Sequence, residues 1–435
     1  MPPLLTLLLL GCDRPPEDRV VLFGIDGLER SYVEARIAEG ELPAFARVWS
    51  EGIVSDLGTQ SPSESPAIWT TLASGYAPEK HGVTGWTLAD GRVPSGADVR
   101  TDRVWNRAST EEQPVVVSGW LMTSPAEEVH GAMVSERIVW QRTPDRYDPT
   151  TVVPGDLVKR RLDGATWPPD LVTPVKELIP RRKWLRNHRL TWQLQSLGRG
   201  HHPLPSDETH LRAFEQLFDP MEARLGAVYW MGIDQISHLY WPFVVPEAVA
   251  TLTQDPEARR RAYAEHPSLG GPDGEKKYFP WVTAPMTPAQ LAEGERWVQE
   301  AYAAADDALA RVLAQIDPTT TTLILLSDHG FEAGANLPVL DARHRDVGLI
   351  AGWGRRVKPG AAPASPPQLE DVTPTICALL DLDAARDMTG RALVELFDVQ
   401  PPSRGGSWLR PVSETPAEPV PSALQDQLET LGYVE

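Results

Sequence analysis

Arg19-Val-Val-Leu-Phe-Gly-Ile-Asp26-Gly27 decides how the rest of the chain is read. A short, largely apolar run that closes on Asp-Gly has the pattern of a strand buried on both faces of a parallel sheet, with a carboxylate at its carboxyl end. In open α/β sheets, ligands bind outside those ends. Asp26 alone fits the opening of a turn equally well, so the weight falls on recurrence. The theme recurs in Leu225-Gly-Ala-Val-Tyr-Trp-Met-Gly-Ile-Asp234 and in Thr320-Thr-Thr-Leu-Ile-Leu-Leu-Ser-Asp328-His329-Gly330. Acid-ended strands alternating with helical segments predict an α/β fold, with a central, mostly parallel sheet flanked by helices.

Outward from the first strand, residues 28–52 read as helical or helix-turn-helix, and residues 53–60 as a second strand. Pro114-Val-Val-Val-Ser-Gly-Trp120 and Gly131-Ala-Met-Val-Ser135 read as further buried strands. Thr287-Pro288 supplies an N-cap and a first-turn proline. Leu291, Val298, Tyr302, Ala305, Leu309, Val312, Leu313 and Ile316 then recur at helical spacing, giving one long amphipathic helix against the sheet. Val372-Thr-Pro-Thr-Ile-Cys-Ala-Leu-Leu380 reads as another helix. The 435 residues divide into a leader and tether (1–18), a main domain (19–400) and a tail (401–435). Irregular stretches at about 87–224 and 240–285 are expected as insertions capping the site.

The formal charge of -19 excludes a nucleic-acid polymer as the main partner, because phosphate backbones are bound by clustered Lys and Arg. The basic cluster Arg181-Arg-Lys-Trp-Leu-Arg-Asn-His-Arg189 reads as a solvated helix face. Met1 to Cys12 form an apolar run that stops at a cysteine and is too short for a bilayer, which takes about 20 residues. It reads as the apolar region of an export signal, and Leu9-Leu-Gly-Cys12 resembles a bacterial lipobox with Cys12 as the lipidated residue. The expectation is an exported, periplasmic or cell-envelope lipoprotein held at the membrane by that anchor. Cys377 sits in an apolar run as a core residue, so no disulfide framework is expected.

Ser61-Pro-Ser-Glu-Ser-Pro-Ala-Ile-Trp-Thr-Thr-Leu-Ala-Ser-Gly75 places hydroxyls at a helix start, where exposed N–H groups favour anions. Ser65 fits either a helix cap or a nucleophile there. Asp234 and His238 are four apart, so on a helical turn they share a face, a reasonable pair of zinc ligands. Asp328 and His329 are adjacent and reach one metal only where the strand has broken into a loop. His344, read alone, is a surface-loop histidine. Together Asp26, Ser65, Asp234, His238, Asp328, His329 and His344 supply the roughly six to seven N and O ligands that two metals need.

On these residues the chain resembles the alkaline phosphatase superfamily, in its branch related to type I phosphodiesterases and nucleotide pyrophosphatases. Phe23-Gly-Ile-Asp-Gly-Leu resembles the opening strand and first metal-binding Asp of that branch. Ser65-Pro-Ala-Ile-Trp-Thr-Thr-Leu-Ala-Ser-Gly, followed by His81-Gly-Val, resembles its nucleophile turn and helix. The resemblance implies two zinc ions, or other divalent metals. One is held by Asp234, His238 and His344, the other by Asp26, Asp328 and His329 with Ser65. It implies a phosphoric ester hydrolase, a phosphodiesterase or phosphatase, with Ser65 forming a phosphoseryl intermediate. The substrate would be a phosphorylated small molecule or lipid. A phospho-group transferase and a catalytically silent binding protein of the same fold are the alternatives. Counting from the nucleophile, Trp86 stands where nucleotide-cleaving members carry a phosphate-contacting asparagine. With Tyr240, it is a candidate substrate contact. Pro66 and Trp69 do not match the pattern of formylglycine sulfatases.

Overall fold

A strand with apolar residues at every position needs cover on both faces, and β1 (Arg19–Ile25) has it: beyond Arg19, all its residues are buried. The protein is described by a computed structural model that places residues 18–138, 164–180, 203–252, 287–333 and 342–410. Alternate side chains of β1 enter different layers, because successive side chains in a strand point to opposite faces. Val21, Phe23 and Ile25 join the cluster containing Val298, Tyr302, Leu309 and Val312 of the long helix Pro288–Gln315. Val20 and Leu22 join the opposite cluster with Ile68, Trp69 and Leu72 of the helix Ser65–Ser74, and with Ile376 of the helix Val372–Leu379. Helix Pro288–Gln315 starts where the sequence places it: the Thr287 Oγ1 accepts the Gln290 N–H at 3.3 Å, and Gln290 Oε1 accepts the Thr287 N–H at 2.9 Å.

The other strands of the main sheet are β2 (Ile53–Gly58), β3 (Val115–Ser118), β4 (Gly131–Val134), β5 (Thr166–Trp167), β6 (Leu225–Trp230) and β7 (Thr321–Ser327), followed by an edge-side strand at Val347–Gly354. Between β7 and that strand lie β8 (Gly330–Ala333) and β9 (Ala342–Arg345), which form a separate antiparallel pair, so Val347–Gly354 is β10. The eight-stranded order is β2-β10-β7-β1-β6-β3-β4-β5. Strand β1 runs parallel to both neighbours, with Val20 opposite Leu225 on one side and Thr322 on the other. Strands β3 and β4 continue in parallel, while β10 and β5 pair antiparallel with β7 and β4. This is the mostly parallel sheet, flanked by helices, that the acid-ended strands predict.

The stretch 87–224 is more than a cap, because it contributes β3, β4 and β5 to the main sheet. These strands have only four, four and two residues, so periodicity marks them weakly. The first ten residues of the 401–435 tail also pack on the domain. Arg404–Gly405 pairs with Ala384–Ala385, Trp408 is buried, and Arg410 bonds Asp102 and Glu127, each at 2.7 Å. Cys12 with the apolar leader, the basic cluster at 181–189, most of the stretch 240–285 and the terminal segment lie outside the described residues. Among those described, no helix is long and apolar enough to cross a membrane.

Candidate active site

The carboxyl ends of β1, β6 and β7 lie side by side, and each is followed by an acid. Asp26 comes directly after β1. Asp234 is in the first turn of the helix Gly232–Tyr240, one turn before His238, and the His238 Nε2 lies 3.2 Å from the Asp234 Oδ1. Asp328 and His329 occupy the break between β7 and β8, which frees both from the alternation of a strand. The β8–β9 pairing sets His344 opposite Phe331, two residues past His329. The two imidazoles consequently stack, with centroids 3.6 Å apart and planes at 19°.

Their hydrogen bonds fix which nitrogen faces the site. His329 Nδ1 lies 3.0 Å from the Gly330 carbonyl oxygen, and His344 Nδ1 lies 2.9 Å from that of Ser63. A carbonyl only accepts, so each Nδ1 carries the proton and each Nε2 turns its lone pair inward. There, His329 Nε2 meets Asp26 Oδ1 at 3.3 Å, Asp328 Oδ2 at 3.4 Å and Asp234 Oδ1 at 3.8 Å. His344 Nε2 lies 3.5 Å from Asp234 Oδ1 and 2.9 Å from His238 Nε2. Two groups, Asp26-Asp328-His329 and Asp234-His329-His344, each present three ligand atoms within 4.8 Å of one another.

Acceptors converging on acceptors is the geometry of a cation site. Asp26 Oδ1, Asp328 Oδ2 and His329 Nε2 are buried without a hydrogen-bond partner among the described residues, a state that normally costs a few kcal/mol per group and calls for a specific explanation. The protonation balance points the same way. Burial, with Asp26 and Asp234 as negative neighbours, pushes the Asp328 carboxyl well above its ordinary value. Burial opposes a proton on His329, but Asp26 and Asp234 outweigh it and raise the imidazole. Burial also works against the Asp234 carboxylate, yet His238 and His344 hold it well below the usual range. The pocket favours positive charge among its carboxylates, and its N and O donors suit a zinc-type divalent ion.

Ser65 opens the helix Ser65–Ser74 and is fully buried, and its Oγ has no hydrogen-bond partner among the described residues. Glu64 is the N-cap residue, but its side chain does not cap the helix. The Ala67 and Ile68 N–H groups bond the Glu64 carbonyl oxygen at 3.0 and 3.1 Å, and Pro66 has no N–H to place. Ser65 is bracketed by the ligand groups. The Ser63 carbonyl before it orients His344, and one turn later the Trp69 indole donates to Asp26 Oδ2 at 3.2 Å. His81 braces the same helix from outside: its Nδ1 accepts the Val83 N–H at 3.2 Å, leaving Nε2–H for the Thr71 Oγ1 at 3.0 Å.

The family model described as type I phosphodiesterase / nucleotide pyrophosphatase matches residues 20–380. The chain belongs to this family. No curated protein sequence matches it. Among solved structures, a phosphonate monoester hydrolase from Silicibacter pomeroyi is 15% identical, covering 88% of this chain and 78% of that one, with a TM-score of 0.48. Human ectonucleotide pyrophosphatase / phosphodiesterase 5 is 12% identical over 87% of this chain and 100% of that one, with a TM-score of 0.47. A phosphonoacetate hydrolase from Sinorhizobium meliloti 1021, solved with phosphonoacetate, is 14% identical over 74% of this chain and 58% of that one, with a TM-score of 0.40.

In this phosphodiesterase-family chain, the six candidate His and Asp ligands meet in one place. The two candidate substrate contacts are placed differently. Trp86 is buried, and its backbone N–H donates to Glu64 Oε2 at 3.3 Å, beside the Ser65 turn. Tyr240 is buried in the apolar layer, its ring 6.0 Å from Phe243 and 6.2 Å from Trp297. The sequence reading missed the partners that aim the acids. The Tyr229 hydroxyl donates a short bond to Asp26 Oδ2, and burial with nearby Asp26 keeps that phenol protonated. Asp207 Oδ1 accepts the Met231 N–H at 3.0 Å, holding the start of the helix that carries Asp234 and His238. A signal for Tyr229 exists in retrospect, since a tyrosine inside a buried strand needs a partner for its hydroxyl.

Proposed function

We propose that the chain is a zinc-dependent phosphoric ester hydrolase working through a phosphoseryl intermediate on Ser65. The observation that carries this reading is the buried Ser65 hydroxyl, without a partner among the described residues, on a turn whose Ser63 carbonyl aims His344 and whose Trp69 indole donates to Asp26. Asp26, Asp328 and His329, with Ser65, would hold one ion, and Asp234, His238 and His344 the other. Bound there, such cations lower the pKa of an oxygen ligand and offset charge on a phosphoryl group in transfer.

The chain's own residues do the rest. Ser65 Oγ attacks phosphorus as the bond to the ester oxygen breaks, and the alcohol departs. Water then attacks the phosphoserine in line, Ser65 Oγ leaves, and phosphate or a phosphomonoester is released with net retention. The rigid helix start holds Ser65 in position, and the Ser63 and Tyr229 bonds keep His344 and Asp26 in register with it. Substrates would be phosphorylated small molecules or lipids. The lipobox-like Leu9-Leu-Gly-Cys12 supports an exported, lipid-anchored form, and radiolabelled palmitate absent from the expressed protein would refute that part.

Metal analysis and Ser65→Ala test the core of the proposal. The expected result is about two zinc-type ions per chain, with hydrolysis of p-nitrophenyl esters abolished in Ser65→Ala and its metal content retained. Less than one ion per chain after gentle purification, or undiminished turnover in Ser65→Ala, would overturn it.

A further inference from the structure

The residue that caps the helix carrying Ser65 is an acid whose side chain does no capping. Glu64 supplies only its carbonyl to the first turn, and its carboxylate turns aside to accept the Trp86 N–H at 3.3 Å. It lies so close over the following loop that a Cβ on Gly85 would stand 3.1 Å from Glu64 Oε2. Glu64 is half-buried, which raises its carboxyl above the ordinary value, while the Trp86 N–H and the imidazoles of His344 and His329 act the other way. The carboxylate therefore lies between the Ser65 turn and the loop that ends in Trp86, outside both candidate metal groups. A helix start ordinarily favours anions, and here a fixed negative charge has been placed at one.

On the hydrolase reading above, the consequence falls on substrate charge. Asp26, Asp234 and Asp328 already bring three carboxylates to the site, and Glu64 is a fourth that coordination does not neutralise. A phosphate monoester above its second pKa, about 6, carries two negative charges. A phosphodiester or a phosphonate monoester carries one. The second charge of the monoester sits on a non-bridging oxygen, which has to approach the Ser65 turn. We propose that Glu64 is a specificity residue, selecting monoanionic esters (phosphodiesters and phosphonate monoesters) over dianionic phosphate monoesters by charge repulsion beside the nucleophile. Repulsion of one unit charge across a partly solvated gap corresponds to a discrimination on the order of tenfold.

The test compares kcat/KM for bis(p-nitrophenyl) phosphate and p-nitrophenyl phosphate at pH 8, for wild type, Glu64→Gln and Glu64→Asp. Glu64→Gln keeps the acceptor for the Trp86 N–H and removes the charge. It should shift the ratio toward the monoester by about tenfold, while Glu64→Asp holds the wild-type preference even where its rates fall. A thermal melt and the metal content of each variant report whether the turn has survived. An unchanged ratio in an active, folded Glu64→Gln overturns the proposal. So does loss of both activities in Glu64→Gln with recovery in Glu64→Asp, because the carboxylate would then be needed for either ester. Turnover of neither ester by the wild type would instead defeat the hydrolase reading itself, and this inference with it.

Discussion

The Nδ1 of His344 lies 2.9 Å from the carbonyl oxygen of Ser63, two residues before Ser65. That contact makes the Ser65 turn a support for a candidate metal ligand, so the turn and the ligand set are one construction. The Ser63 side chain points elsewhere, its hydroxyl donating to Asp346 Oδ1 at 2.6 Å.

Ser63→Ala follows from this division of labour. The backbone carbonyl that aims His344 stays, and one partly buried hydrogen bond is lost, at about 1 kcal/mol. Turnover should fall no more than about tenfold, because the carbonyl that supports the ligand is retained and only about 1 kcal/mol is lost, whereas Ser65→Ala abolishes it. Parallel assays on a p-nitrophenyl ester check this, and an inactive Ser63→Ala with normal metal content would move the nucleophile to Ser63.

Tyr229→Phe removes a hydroxyl that donates to Asp26 Oδ2, leaving the Trp69 indole as the remaining donor to that oxygen among the described residues. A bond to a charged group is worth about 2 kcal/mol, and the freed carboxylate loses orientation. Metal affinity should fall by 10- to 100-fold, on the order found for groups that support a ligand. Titration against a competing chelator measures this, and wild-type affinity would show that Trp69 suffices.

Removing metal should destabilise the fold as well as stop turnover. Asp26 Oδ1 and Asp328 Oδ2 are buried without a hydrogen-bond partner among the described residues and share the site with Asp234, so without an ion only protonation of Asp328 and of the neighbouring imidazoles offsets the crowding of acids. Ion at about a thousand times its Kd stabilises the folded chain by roughly 4 kcal/mol. Calorimetry before and after chelation should show a lower Tm that zinc restores. An identical Tm would exclude a resident ion.

Two histidines outside the ligand set contribute to the pH dependence of stability. Burial depresses His81 to about 3 and His210 to about 4, from an ordinary 6.5. The unfolded chain therefore binds more protons than the folded one between those values and 6.5. Stability from each is fully present above pH 6.5 and is lost as pH falls toward 4 for His210 and toward 3 for His81. Each contributes a slope of up to about 1.4 kcal/mol per pH unit in its window. Urea unfolding at steps from pH 7 to pH 5 measures the slope. His81→Gln should make it shallower, and an unchanged slope would show that His81 does not titrate on unfolding.

The sequence by itself determined the layers of this protein and picked out the acids and histidines that meet at its candidate site. Apolar runs such as Val20 to Ile25 can only be buried strands between helices, and strand ends deliver Asp26, Asp234 and Asp328 to one edge because parallel strands all point their carboxyl ends the same way. The Asp234–His238 pair was legible because helical spacing is local. His344 was not legible from its neighbours. It reaches the site through the pairing of β9 with β8, whose partner residue is Phe331, and its orientation comes from a carbonyl 281 positions away in the chain. The Tyr229 bond to Asp26, the Asp207 cap and the turn of Glu64 toward Trp86 are likewise meetings between segments distant in sequence. Side-chain periodicity and strand-end position are properties of single elements, so a sequence carries them. Which hydrogen-bond partner aims a ligand depends on register and packing between elements, and only the tertiary structure decided that.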